Sequence, residues 1–143
     1  MDATAKRVAY VGETAAILGL SKVETLTGRA EELAAKPPLR ESFDVATARA
    51  VAALPVLSEL CLPFVKVGGI FLALKGKNAR EEYEAAESGI QKLGGKLTDI
   101  DERPILSPDG ETFSRAALTV QKIGSTPTNY PRQYAQILKK PLG

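Results

Sequence analysis

Gly68-Gly69-Ile70-Phe71-Leu72-Ala73-Leu74-Lys75-Gly76 is the stretch that decides the fold class. Its apolar run from Ile70 to Leu74 shows no polar alternation, and glycines bound it on both sides. A run of that kind is a strand buried on both faces, as in a parallel sheet covered by helices. Gly68-Gly69 is expected to break the chain before it. Parallel strands need long crossovers, so helices should flank the run. On the C-terminal side Asn78, with Glu81 three residues on, has capping-box spacing. Tyr83, Ala86, Ile90 and Leu93 then make an apolar helix face, and Gly94-Gly95 ends it. On the N-terminal side Leu54 to Val65 reads as a buried helix with Pro55 in its first turn.

Further out the alternation continues. Phe43 to Thr47 and Val23 to Thr27 are strand candidates rich in β-branched residues. Ala30 to Ala35 forms one or two helical turns stopped by Pro37-Pro38. From Thr4 to Leu18, Ala5, Val8, Val11, Ala15 and Leu18 recur on one helical face, and Gly19 sits where a left-handed C-cap is wanted. Toward the C-terminus Lys96 to Leu106 and Arg115 to Ile123 flank Ser107-Pro108-Asp109-Gly110, strong turn chemistry, and should pair antiparallel. The expected architecture is a three-layer α/β domain with a mostly parallel sheet and a C-terminal antiparallel hairpin. Residues 1–123 form the domain, and 124–143 an extended basic tail packing on or beside its cleft.

The composition fits one domain. The 143 residues carry 19 Lys+Arg against 17 Asp+Glu, so no strong charge excess marks a nucleic-acid tail protein. With one cysteine, Cys61, and no histidine, a disulfide framework, a zinc site and a histidine-based triad are all excluded. Cys61 reads as a small core side chain. The most apolar stretch, Val45 to Leu74, is interrupted by Arg49, Pro55, Glu59, Pro63 and Lys66 and cannot span a membrane. The N-terminal residues lack the apolar core of a signal peptide, so a cytoplasmic protein is expected. Residues 112–143 contain Arg115, Lys122, Arg132, Lys139 and Lys140 and no acid, which points to a phosphate-bearing partner.

Open parallel sheets take ligands beyond the carboxyl ends of their strands. Arg29 follows the Val23–Thr27 candidate, Arg49 the Phe43–Thr47 candidate, and Lys75 the Ile70–Leu74 run. Three strand ends thus deliver cations to one rim, and no nucleophile–base pair accompanies them.

The order of these segments carries a family resemblance. Asp2 to Val8, Arg29-Ala30-Glu31-Glu32-Leu33, Phe43 to Ala50, Leu62-Pro63, Gly68-Gly69, Ala73-Leu74-Lys75-Gly76, Tyr130-Pro131-Arg132 and Lys139-Lys140-Pro141-Leu142 follow one another. The series closely resembles the small-subunit ribosomal RNA methyltransferase G family, also called glucose-inhibited division protein B. The resemblance implies a class I, Rossmann-like fold and methyl transfer from S-adenosyl-L-methionine to N7 of a guanine in 16S small-subunit rRNA. It implies cofactor contacts at Asp2 (ribose), Ala30 and Glu31 (adenine pocket) and Arg49, which also stands beside the target base as the catalytic residue. It implies RNA contacts at Lys6, Arg29, Lys75 and Arg132, with Tyr134 offering a face for base stacking. No metal is implied. Guanine N7 bears a lone pair and no proton, so a chain without histidine suits this substrate.

The chain departs from the family in one respect. A complete member has a first strand, a glycine-rich loop, a helix and a second strand before the position of Asp2. No G-x-G pattern occurs before residue 30 here. The expectation is an N-terminally truncated member lacking the first two strands, which lie mid-sheet in class I order. Two outcomes are open for the edges this leaves. Val23–Thr27 slides in beside Phe43–Thr47, or the edges pair between chains as a homo-oligomer. Alternatives to an enzyme are a non-catalytic RNA-binding remnant and an unrelated nucleotide-binding module.

Overall fold

A computed structural model describes residues 1–49 and 51–143. The elements run α1 (Ala5–Ile17), α2 (Ala30–Leu33), β1 (Phe43–Arg49), α3 (Leu54–Cys61), β2 (Val65–Lys75), α4 (Ala79–Lys92), β3 (Gly95–Leu106), β4 (Thr112–Lys122) and α5 (Tyr134–Lys139). A short 3-10 turn, Leu62–Phe64, joins α3 to β2. The sheet order is β1-β2-β4-β3. Only β1 and β2 run parallel, whereas β4 is antiparallel to both β2 and β3. The α/β class and the C-terminal hairpin are as expected, but the sheet is mixed rather than mostly parallel. The reason lies in insertion: β4 returns from the hairpin into the slot beside β2 instead of stacking outside β3.

The apolar run behaves differently from its appearance in sequence. Phe71 and Ala73 are buried, while Leu74 is 39% exposed and Ile70 and Leu72 are only half-covered. Helices α3 and α4 pack on the Phe71 face, where Leu54, Leu57, Ala86, Ile90, Leu118 and Val120 complete one core. The opposite face carries exposed Phe43, Val45 and Leu74. Among the described residues the domain around this sheet is therefore two-layered, not three-layered. A short apolar run does not reveal how many of its faces are covered.

Gly68 and Gly69 do not break the chain before β2; they lie inside it. Phe43 pairs with Val65 and Val45 with Ile70, so the extra β2 residues bulge there. Gly68 takes φ +89, and a Cβ on Gly69 would sit 2.6 Å from the Asp44 carbonyl oxygen. Only glycine permits that conformation and that approach.

Helix α1 ends as its sequence says. Leu20 N–H donates to the Ala15 carbonyl and Gly19 N–H to that of Ala16, with Gly19 at φ +68. This is the paired-bond C-cap that glycine favours. At α4 the Asn78 side chain makes no cap hydrogen bond, contrary to the capping-box expectation. Glu82, one residue past the expected partner, turns away to accept from Leu54 N–H at 2.9 Å and from the Lys75 ammonium at 2.6 Å.

Val23 to Thr27 is not a strand. A single parallel bridge joins Thr27 to Asp2, and Val23 to Leu26 make no ladder. The sheet is not healed by that segment, because Gly28 N–H is already held by the Asp2 carbonyl and Asp2 N–H by Leu26.

The tail is not extended coil: it contains α5 and is fastened to the domain by buried charge. The Arg40 guanidinium donates to the carbonyls of Thr126 and Tyr130, each at 2.8 Å. The Glu41 carboxylate accepts from Thr126 N–H at 2.7 Å and faces the Lys122 ammonium at 3.0 Å. Burial disfavours the charged form of Glu41, but the Thr126 N–H and Lys122 outweigh it and hold the carboxyl below its usual range. The folded state therefore gains stability from ionised Glu41 above its unfolded value, about 4.3, and loses it as pH falls. Glu41→Gln should flatten the pH dependence of unfolding free energy below about pH 4.5, measured by urea titration at stepped pH. An unchanged acid limb would remove Glu41 from this role.

Candidate functional site

The expected site residues lie in three clefts rather than one. Asp2 and Lys6 line a cleft of about 510 Å³ with Arg7, Tyr10 and Thr25, at the start of α1. The Asp2 carboxylate accepts from Thr4 N–H at 2.8 Å and from Arg7 at 3.4 Å. That Thr4 N–H, opposed by desolvation and aided by Arg7, holds its carboxyl below the usual range. A short acid at the end of an extended segment and ahead of a helix is thus kept ionised with its outer oxygen lightly held.

Arg29, Glu31, Arg132 and Tyr134 share a second cleft of about 640 Å³ between α2 and α5. Glu31 is buried and paired with Arg29, whose guanidinium also lies 4.6 Å over the Tyr134 ring. The aromatic face of Tyr134 is thus taken by Arg29. The Glu31 hydrogen bond keeps Arg29 firmly protonated. Ala30 turns the other way and packs against Val56, Leu60 and Ile137.

Arg132 does not stand free. Its guanidinium grips Glu59 in a forked arrangement, 2.9 Å from Nε and 2.6 Å from Nη2, and its backbone N–H donates to the same carboxylate at 2.8 Å. Glu59 is fully buried. The forked pair matches the planar geometry of guanidinium and carboxylate.

Arg49 and Lys75 line the third cleft, about 730 Å³, at the carboxyl ends of β1 and β2. Lys75 is committed to Glu82 and to the Ala52 carbonyl at 2.8 Å, and its side chain is 10% exposed. Arg49, the last residue of β1, is exposed, and among the described residues it makes no ion pair. Of the three cations expected on one rim, Arg49 and Lys75 come together, and Arg29 does not join them.

The cofactor expected from the resemblance can be tested on this geometry. Asp2, Glu31 and Arg49 open onto three different clefts, and Ala30 lines none of the three, so these clefts do not bring the expected cofactor contacts together. Cys61 offers no nucleophile, since burial pushes its thiol up to about 12. No group of His, Cys, Asp and Glu among the described residues is arranged to hold a metal ion, and no helix is long and apolar enough to cross a membrane.

Sequence reasoning missed the clamps Glu59, Glu41, Arg40 and Lys122. One signal was available: Glu59 is the sole charged residue between Leu54 and Val65, and an acid inside such a run needs a partner. The acid-free basic tail also shrinks as a pointer to phosphate. Lys122 is fully buried and Arg132 is clamped, leaving Arg115, Lys139 and Lys140 outward.

Comparison with known proteins agrees with the fold and sharpens it. The model of the family "rRNA small subunit methyltransferase G" matches residues 1–104. The ribosomal RNA small subunit methyltransferase G of Clostridium perfringens (strain 13 / Type A) is 46% identical over 142 residues, 99% of this chain and 58% of that protein. Its namesake from Acetivibrio thermocellus is 43% identical, over 99% of this chain and 57% of its own length. The chain therefore spans less than three fifths of these relatives. Among solved structures, M. jannaschii TYW2 in complex with AdoMet superposes with a TM-score of 0.60 at 17% identity, covering 84% of this chain and 55% of that one. A SAM-dependent methyltransferase from Methanosarcina mazei gives 0.52 at 13% identity, over 85% and 80%. These structural likenesses establish a partial Rossmann-like methyltransferase fold, and the sequence matches establish kinship: the chain belongs to the rRNA small subunit methyltransferase G family.

Proposed function

We propose that the chain supplies the substrate-facing part of an S-adenosyl-L-methionine-dependent methyltransferase acting on N7 of a guanine in 16S small-subunit rRNA. The observation that carries this reading is Arg49, exposed and without an ion pair among the described residues, at the carboxyl end of β1 in a chain of this family. Open α/β sheets take their ligands at such strand ends. N7 of guanine has a lone pair and no proton to remove. It asks the protein for alignment and electrostatics, which a chain with no histidine can provide.

In this reading Arg49 stands beside the target base. Asp2 and Glu31 face the cofactor, with Ala30 packed behind Glu31, and Lys6 and Arg29 face RNA. Lys75 and Arg132 act at one remove, fixing the cleft walls through Glu82 and Glu59. Because Asp2, Glu31 and Arg49 open onto separate clefts, the 143 residues alone bind the cofactor weakly or not at all. That separation favours a second reading for the isolated chain, RNA binding without methyl transfer.

A chimera separates the two. The part of the Clostridium perfringens relative that this chain does not cover would be joined to it in the relative's own order, and the product assayed with labelled S-adenosylmethionine and protein-free small-subunit rRNA. We expect label at a guanine N7, detected by borohydride–aniline cleavage, and a loss of at least about 100-fold in Arg49→Ala. A folded chimera that binds the cofactor yet leaves the rRNA unlabelled would sink the methyltransferase reading. For the chain alone, calorimetric titration should show no micromolar binding of S-adenosylmethionine.

A further inference from the structure

The register of the sheet lines up a second set of cations that neither the motifs nor the strand-end argument contains. Arg103 on β3 lies directly opposite Arg115 on β4. Directly opposed residues share a face, and like charges so placed repel. The same face continues through Asp101 opposite Ala117, Ala117 beside Leu74, and Leu74 beside Arg49. Arg103, Arg115 and Arg49 therefore border one cleft, on the face of the sheet that no helix covers among the described residues, with Glu82 of α4 at its rim.

The acids of that cleft do not balance its cations. Glu82 is engaged by Lys75, and Asp101 by Nε of Arg103, leaving Arg49 and Arg115 uncompensated. The Arg103 side chain is 77% exposed. Arg115 lies 5.4 Å over the Phe113 ring, itself exposed, and Ile105 opposite Phe113 is exposed as well. Cations interleaved with an accessible aromatic ring and an apolar neighbour form a surface that tracks a phosphate backbone and accepts an unstacked base.

We propose that the outer half of the β3–β4 hairpin, through Arg103, Arg115 and Phe113, is an RNA-docking surface that leads a single-stranded segment to Arg49. The inference rests on the rRNA reading above and extends it to a hairpin whose second strand, with Phe113 and Arg115, lies beyond the residues 1–104 that the family model matches. An anion laid between the two opposed positions would meet the uncompensated Arg115 and the exposed guanidinium that Arg103 shares with Asp101. Neither guanidinium is used to hold the fold, since Arg103 bonds only within its own strand and Arg115 only to its neighbour's carbonyl.

The test is filter binding of the 143-residue chain to protein-free small-subunit rRNA across a salt series. For the Arg103→Ala, Arg115→Ala double variant, the slope of log affinity against log salt should fall by about 1.4, two single-strand phosphate contacts at about 0.7 each. Arg103→Lys with Arg115→Lys should keep that slope, because it retains both charges. Lys22→Ala with Lys96→Ala, an equal charge loss at exposed positions elsewhere, should leave it unchanged. Both arginine variants should melt as the wild type does. An alanine slope equal to wild type, or a lysine slope as low as alanine, overturns the docking surface while the rRNA reading stands. Absence of any salt-dependent binding by the wild-type chain overturns both.

Discussion

Arg132→Ala lowers the unfolding free energy by about 3–5 kcal/mol, the cost of leaving a buried carboxylate without its counter-ion. Glu59 is completely buried in α3, and Arg132 supplies both the charge and the forked donors that satisfy it. In the alanine variant one bond survives, because the backbone N–H at 132 still reaches Glu59. The charge does not survive. Domain stabilities are only about 5–15 kcal/mol, so the loss is a large share of the total. Arg132→Lys should fall between, retaining a point charge without the fork. Glu59→Gln combined with Arg132→Ala should cost clearly less than the two single changes added, since no bare charge is left behind. If Arg132 were instead an exposed RNA contact, its removal would change stability by less than about 0.5 kcal/mol and weaken rRNA binding. Urea unfolding followed by circular dichroism at pH 7 decides between these. A wild-type midpoint in Arg132→Ala removes the clamp.

What the sequence made legible divides along the range of the forces involved. Helix α1 with its Gly19 end, helix α4 and the β3–β4 hairpin follow from local spacing and turn chemistry, and the structure places them where those signals say. Val23 to Thr27 has the composition of a strand but no neighbour to pair with beyond Asp2, and propensity without a ladder does not make a strand. The Ile70–Leu74 run looks the same whether one face or both are covered, so the open side of the sheet could not be read from it. Among the site residues, Arg49 at a strand end was visible because its place depends on β1 alone. The roles of Lys75 and Arg132 were not, because Glu82 and Glu59 meet them only after α4 and the tail have packed. Register is equally non-local: nothing between residues 103 and 115 in sequence announces that two arginines face each other across the hairpin.

Lys122 is the extreme case of that non-locality, and replacing it should be as damaging as losing Arg132. In sequence it is one cation in a basic C-terminal third. In the structure it is fully buried at the end of β4, and its ammonium donates to the carbonyls of Leu62 at 2.8 Å and Val65 at 3.2 Å and to the Thr126 hydroxyl at 2.7 Å. The Thr126 hydroxyl in turn donates to the Leu93 carbonyl at the end of α4. One side chain thus ties together the start of β2, the α4 terminus, the Glu41 loop and the tail. Burial pushes the Lys122 ammonium below its usual range, and Glu41 pulls it back. The charge is therefore tolerated because every donor is used. Lys122→Met keeps the length and the apolar stem but withdraws a charged donor from the Leu62 and Val65 carbonyls and from the Glu41 carboxylate, leaving Leu62 with the Val65 N–H and Glu41 with the Thr126 N–H. Hydrogen bonds from a charged donor contribute about 1.5–3 kcal/mol each, so a loss of about 3–5 kcal/mol is expected. The carboxylate's share can be isolated: adding Glu41→Gln to Lys122→Met should recover part of the loss, whereas Glu41→Gln alone should destabilise. Hydrogen exchange gives the spatial signature, with protection falling together at the Thr126, Ile123 and Leu93 amides rather than across the α3–α4 core. A Lys122→Met chain within about 1 kcal/mol of wild type would mean that the buried ammonium contributes no more than an apolar filler of its shape.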